Sequence, residues 1–134
     1  MQDDILSRLP HRPPFVMIDS IRTEAGKAYA RFLIKEDNVL VENGFFSESG
    51  LVENMAQAAG AGLPQQGTEG APSLGFIGAL KDLKVEQLPA AGEIIETEVS
   101  YVHQVMNAHI VQARVTSTAG ELLASCELKI FLQA

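Results

Sequence analysis

The chain has 134 residues, 17 acidic against 10 basic side chains for a formal net charge of −7, 46% apolar and 20% charged residues, and one cysteine. That length suits a single domain over residues 1–134 with a real core, and the apolar content excludes a disordered chain. The lone Cys126 excludes an internal disulfide framework, the acidic balance argues against a nucleic-acid partner, and no apolar run reaches the roughly 20 residues that span a bilayer.

In chain order, Asp3 or Asp4 is expected to cap a short helix with Ile5, Leu6 and Leu9 as its apolar face, ended by Pro10. The acidic start, Met1 to Asp4, is followed by no signal-type apolar run, which points to a cytoplasmic protein. Pro13 and Pro14 keep the next stretch extended, and Phe15 to Ile18 reads as a buried strand that Asp19 to Ile21 continue. Ala25-Gly26-Lys27 makes a turn. From Lys27 to Glu36 the pattern alternates, with Ala28, Ala30, Phe32 and Ile34 on the inner face, so this strand forms a hairpin with the first. Residues 37–48 are irregular, with a turn at Asn43-Gly44.

Ser47 or Ser49 can cap the next element, a helix from Leu51 to about Leu63 that is apolar almost all round and therefore buried on more than one side. Four strands follow. Ser73 to Gln87 changes apolar parity near Leu80 to Leu83, which predicts a bulge. Glu93 to His103 and His109 to Ser117 meet across Val105-Met106-Asn107. Glu121 to Leu132 alternates, with Leu122, Ala124, Cys126, Leu128, Ile130 and Leu132 inward. The predicted class is α+β, an antiparallel six-stranded sheet wrapped around one central helix, which is the hotdog architecture. The open sheet edges favour a dimer.

Glu53 stands out because an ionised carboxylate on so apolar a helix is costly unless it is paired. Gln57 and Gly60 follow at helical spacing, so a carboxylate, an amide and a gap share one stripe. The stripe is either a small polar site or simply a solvent-facing strip. Cys126, among Ala124 and Leu128, reads as core packing. Glu93, Glu96 and Glu98 read as a solvated strand face. His103 and His109 flank a hairpin tip and are expected to be solvated. Ala59-Gly60-Ala61-Gly62 is no phosphate loop, since no Lys-Ser/Thr follows, and no metal-ligand cluster is present; neither cofactor nor metal is expected.

Leu9-Pro10-His11-Arg12-Pro13-Pro14-Phe15-Val16-Met17-Ile18-Asp19 resembles the opening L-P-H-R-x-P-F-L-L-x-D of the bacterial 3-hydroxyacyl-[acyl-carrier-protein] dehydratases. Val52-Glu53-Asn54-Met55-Ala56-Gln57-Ala58-Ala59-Gly60 resembles their helix motif L-E-A-M-A-Q-x-x-G, and Phe45-Phe46 resembles the F-F before their active-site loop. The resemblance covers nearly the whole chain, and small short-loop relatives from aryl polyene or pigment clusters look similar too. It implies a lyase that dehydrates a 3-hydroxyacyl thioester to the trans-2-enoyl form, in fatty acid or polyene synthesis, with acyl carrier protein as partner. In that family a loop histidine removes the proton beside the thioester carbonyl, a helix carboxylate helps the hydroxyl leave, and N–H groups at the helix start hold the thioester oxygen.

Glu53 matches the carboxylate and Gln57 the glutamine beside it; Gly50 and Leu51 lie near the expected helix start and are the candidate thioester contacts. The histidine of the family sits in G-H-F-P-G, and this chain lacks that segment, running from Phe46 through Ser47-Glu48-Ser49-Gly50 into the helix. His11 is then either a packing histidine or the base recruited to Glu53, while Glu42 and Glu48 are loop carboxylates that could pair with it. The missing histidine also admits a non-catalytic subunit paired with an active homologue, as a homodimer or heterodimer of hotdog chains; an acyl thioesterase is the third reading. Acyl carrier proteins are acidic, so docking needs a basic patch, for which Arg8, Arg12, Arg22, Lys81 and Lys84 are the candidates.

Overall fold

A computed structural model describes Ile5, Leu9 and residues 12–62 and 75–132. Its elements are β1 (Ser20–Glu24), β2 (Lys27–Leu33), β3 (Val41–Glu42), β4 (Phe45–Phe46), α1 (Glu48–Ala61), β5 (Gly75–Val85), β6 (Ile94–Val105), β7 (Ala108–Ser117) and β8 (Leu122–Leu132). Six strands form one antiparallel sheet in the order β1-β2-β6-β7-β8-β5, and β3 and β4 make a separate two-stranded hairpin. One helix against such a sheet is the expected α+β hotdog.

The turns lie where short polar and glycine pairs predict them. Ala25 and Gly26 both have positive φ, as do Asn43 and Gly44, which is the backbone that joins two right-twisted strands through a two-residue loop. Period-two burial then defines the inner face: Ala28, Ala30 and Phe32 of β2, Ile95, Thr97 and Val99 of β6, Val111, Ala113 and Val115 of β7, and Ala124, Cys126, Leu128 and Ile130 of β8. These side chains close on Leu51, Met55, Ala58 and Ala59 of α1. Small residues set the closeness of that approach. A Cβ at Gly62 would lie 2.5 Å from the Ala28 methyl and 2.7 Å from the Tyr101 hydroxyl oxygen. The outer face carries complementary charge, with Arg31 opposite Glu96, Arg114 opposite Glu98, and Lys27 Nζ 3.6 Å from Glu98.

Several boundaries differ from expectation for physical reasons. Phe15 to Ile18 is not a strand; the first strand begins at Ser20. Met17 and Ile18 are buried as expected, whereas Phe15 is 60% exposed, and the backbone of Phe15 and Met17 bonds to helix side chains instead of a neighbouring strand. We call Phe15 to Ile18 the strap. The helix starts three residues before Leu51, because Ser47 caps it by accepting from Gly50 N at 3.1 Å. In β8 the inward residue near the start is Leu123, with Leu122 turned outward, where a register shift at Val115/Thr116 resets the alternation. The bulge expected in β5 is present, as register shifts at Ile77/Ala79 and Lys81/Lys84 with Asp82 at positive φ. Residues 37–48, expected to be irregular, contain the β3–β4 hairpin. Of the short N-terminal helix, only Ile5 and Leu9 lie among the described residues, both buried in the core.

Candidate active site

The site is built on the second and third turns of α1. Glu53 is partly exposed, whereas Gln57, one turn on, is 1% exposed. Gln57 Nε2 donates to Glu53 Oε2 at 2.9 Å and to the Phe15 carbonyl at 2.8 Å, and Gln57 Oε1 accepts from Met17 N at 2.6 Å. A Cβ added to Gly60, the third member of the stripe, would meet nothing within 4 Å. On this stripe a partly exposed carboxylate is held by a buried amide, next to a glycine with open space over it.

A second buried amide lies one position from the carboxylate. Asn54 donates from Nδ2 to the Met17 carbonyl at 2.8 Å, and its Oδ1 accepts from the Thr97 hydroxyl of β6. Asn54 and Thr97 are fully buried, and among the described residues their side chains are satisfied by each other and by the strap. Sequence reasoning missed both. The available signal was Asn54 itself, a polar residue on a helix otherwise apolar around it.

The N–H groups expected to contact a thioester are engaged within the fold. Gly50 N donates to Ser47 Oγ and Leu51 N donates to the Ser47 carbonyl at 3.0 Å. Gln57, expected to bind substrate, spends its amide on Glu53 and the strap. His11 and Arg8 lie outside the described residues. Glu42 and Glu48 are exposed. His103 is exposed, as expected, but His109 is not: it is buried on the inner face of β7, and its Nε2 has no hydrogen-bond partner among the described residues. Its inward parity, shared with Val111 and Ala113, outweighs its nearness to the hairpin tip. Cys126 packs with Sγ 3.6 Å from Met55 Sδ, and burial pushes its thiol up to about 11. A cleft of about 500 Å³ opens beside the strap, walled by Pro13, Pro14, Val16, Ile18 and Phe32, with Lys35 and Asp37 also lining it. Glu53 does not line it, so this cleft is not the space before the carboxylate. Among the described residues no group of three His, Cys, Asp or Glu side chains is placed to hold a metal ion.

A family model for ApeP-like proteins, described as ApeP dehydratase, matches residues 4–134. The chain belongs to the ApeP-like dehydratase family. It is a dehydratase-like hotdog protein, and its family places it with the hydro-lyases. Solved structures support the fold. The dehydratase heterocomplex ApeI:P from Xenorhabdus doucetiae superposes with a TM-score of 0.80 at 17% identity, covering 98% of this chain and 92% of that one. The smu.793 protein from Streptococcus mutans, bound to acetyl CoA, gives 0.72 at 15% identity over 94% and 96% of the two chains. A hypothetical thioesterase from Streptococcus pneumoniae with coenzyme A gives 0.69 at 12% identity over 85% and 84%. No curated protein sequence matches the chain.

Proposed function

We propose that this protein dehydrates a 3-hydroxyacyl thioester, borne on an acyl carrier protein, to the trans-2-enoyl thioester in the cytoplasm, in the building of a fatty acyl or polyene chain. The observation that carries the reading is Glu53, a partly exposed carboxylate on the buried helix of an ApeP-like dehydratase, held by Gln57. The chemistry needs a base for the proton at C2 and an acid for the hydroxyl at C3. As the C2–H bond breaks, its electrons form the C2–C3 double bond, the C3–O bond cleaves, and the hydroxyl leaves as water with a proton from the carboxyl group. Glu53 is that acid, and His11 is the candidate base. Gly50 and Leu51 lie in the first turn of α1, where the helix dipole favours the developing negative charge on the thioester oxygen. Direct donation from Gly50 N requires Ser47 Oγ to release it.

The working unit we propose is a pair of hotdog subunits. The similarity to one chain of a dehydratase heterocomplex favours a related second subunit over a second copy. The test incubates the protein, alone and with its candidate partner subunit, with 3-hydroxyacyl and plain acyl carrier-protein thioesters and follows both by mass spectrometry. Loss of water from the first is expected, and Glu53→Gln should abolish it. Release of free acid from either substrate would show a thioesterase instead. Turnover by the partner alone, unchanged when Glu53→Gln protein is added, would make this chain a non-catalytic subunit.

A further inference from the structure

We infer that Asn54, with Thr97 behind it, is a positioning residue for Glu53, acting through the backbone of Met17; the inference rests on the dehydratase reading of that carboxylate. An amide has one accepting and one donating end, and which end faces Glu53 decides whether it attracts or repels a carboxylate. Nothing within the Gln57 side chain settles this. The strap does: Met17 presents an N–H to Oε1, and Phe15 presents a carbonyl to Nε2. With both ends assigned by the backbone, Nε2 is left pointing at Glu53 Oε2. Gln57 is a donor to the carboxylate because the strap makes it one.

The strap in turn is not held by a neighbouring strand at these residues. Met17 has both of its backbone polar groups bonded to side chains of α1, its N–H to Gln57 and its carbonyl to Asn54. Asn54 is fixed by the Thr97 hydroxyl on its other side. The chain of contacts runs Thr97, Asn54, Met17, Gln57, Glu53, and each link before the carboxylate is buried. Asn54 is a costly choice for structure alone. It stands where the dehydratase helix pattern has alanine, the better helix former, and it buries an amide that must find partners. Removing it leaves the Met17 carbonyl and the Thr97 hydroxyl unsatisfied. Met17 can then shift, its N–H leaves Oε1, and the Gln57 amide is free to turn its oxygen toward Glu53.

The experiment compares Asn54→Ala, Thr97→Val and Thr97→Ser with the native chain in the assembled, active complex. Asn54→Ala should lower kcat by about tenfold to a hundredfold with KM unchanged, the signature of a misplaced group and not of lost substrate contacts. Thr97→Val should lower it in the same direction, and Thr97→Ser, which keeps the hydroxyl, should restore it. An independent readout is amide exchange by NMR, where the Met17 N–H and the Gln57 side-chain protons should exchange at least about tenfold faster in Asn54→Ala. A folded Asn54→Ala protein with native kcat overturns the inference, as does one with reduced kcat but native exchange at Met17 and Gln57. If Asn54→Ala does not fold, the Thr97→Val and Thr97→Ser pair decides by the same criteria. Glu53→Gln run alongside separates the two levels: full activity there defeats the dehydratase reading itself, whereas an inactive Glu53→Gln beside a fully active Asn54→Ala defeats only the positioning role.

Discussion

Gly50 shows how a residue can match a catalytic expectation and answer first to packing. A Cβ at this position would sit 2.5 Å from Cε1 of Phe46, whose ring is fully buried and packs on Phe32 at 5.7 Å. The ring has nowhere to move, so Gly50→Ala should destabilise the fold by about 1–3 kcal/mol despite alanine's better helix propensity. Urea unfolding tests this, with a lower midpoint at unchanged slope expected. Cys126 gives a second prediction at the same scale. Its thiol ordinarily titrates near 9.0 and is raised to about 11 in the core. Between those values the unfolded chain has lost a proton that the folded chain keeps. Stability contributed by this group therefore falls as pH rises through that window, by at most about 1.4 kcal/mol per pH unit. The slope of unfolding free energy against pH in the native chain should be more negative than that of Cys126→Ala between pH 9 and 11. Equal slopes would contradict the burial of the thiol.

At the scale of elements, α1 is specified by its cap and its faces. Ser47 Oγ satisfies Gly50 N, and Ser47→Ala should cost about 1 kcal/mol of stability, read in the same unfolding experiment. A cost near zero would mean that water replaces the hydroxyl. The helix, its apolar character and its Glu53–Gln57 stripe were legible because helical spacing alone puts those residues on one side. The strands from Ile94 onward were legible from alternation along most of their length, and both two-residue turns from Ala25-Gly26 and Asn43-Gly44. The strap was not. An apolar run such as Phe15 to Ile18 can bury Met17 and Ile18 either as a strand or as an irregular segment, and what separates the two is where its backbone hydrogen bonds go. The Met17 N–H goes to Gln57, forty positions away, the Met17 carbonyl to Asn54, thirty-seven away, and the Phe15 carbonyl to Gln57, forty-two away. No local pattern carries that information. The same limit hid the outward turn of Leu122, decided by a register shift in the sheet, while His109 is buried by the inward parity it shares with Val111.

For the whole molecule, a net charge of −7 opposes the approach of an acidic carrier protein. The outer sheet face pairs its charges across strands, so the surface available to attract an acidic carrier protein is smaller than a count of ten basic residues suggests. The candidate cations also fall apart in space. Arg22 lies on β1 at one edge of the sheet, its guanidinium 4.3 Å above the Tyr29 ring, and Lys81 and Lys84 lie on β5 at the other edge. Arg12 is different because it is tied to the site. Its carbonyl accepts from Phe15 N at 2.9 Å, and Phe15 is the residue whose own carbonyl orients Gln57. A carrier protein delivering a thioester to Glu53 would bring its acidic surface near this segment, so we propose exposed Arg12, whose Nη1 donates to the Leu9 carbonyl at 3.0 Å, as the docking cation of that reaction. Arg12→Glu should raise KM for a carrier-borne substrate by about tenfold at low salt and much less at high salt, since exposed charges are screened within about 10 Å at 0.1 M. KM for the same acyl group on free pantetheine should not change, and Lys81→Glu with Lys84→Glu should have little effect on either. An equal rise in KM for both substrates would mean that Arg12 shapes the strap and not the docking surface. A larger effect from the lysine pair would move the carrier protein to the β5 edge.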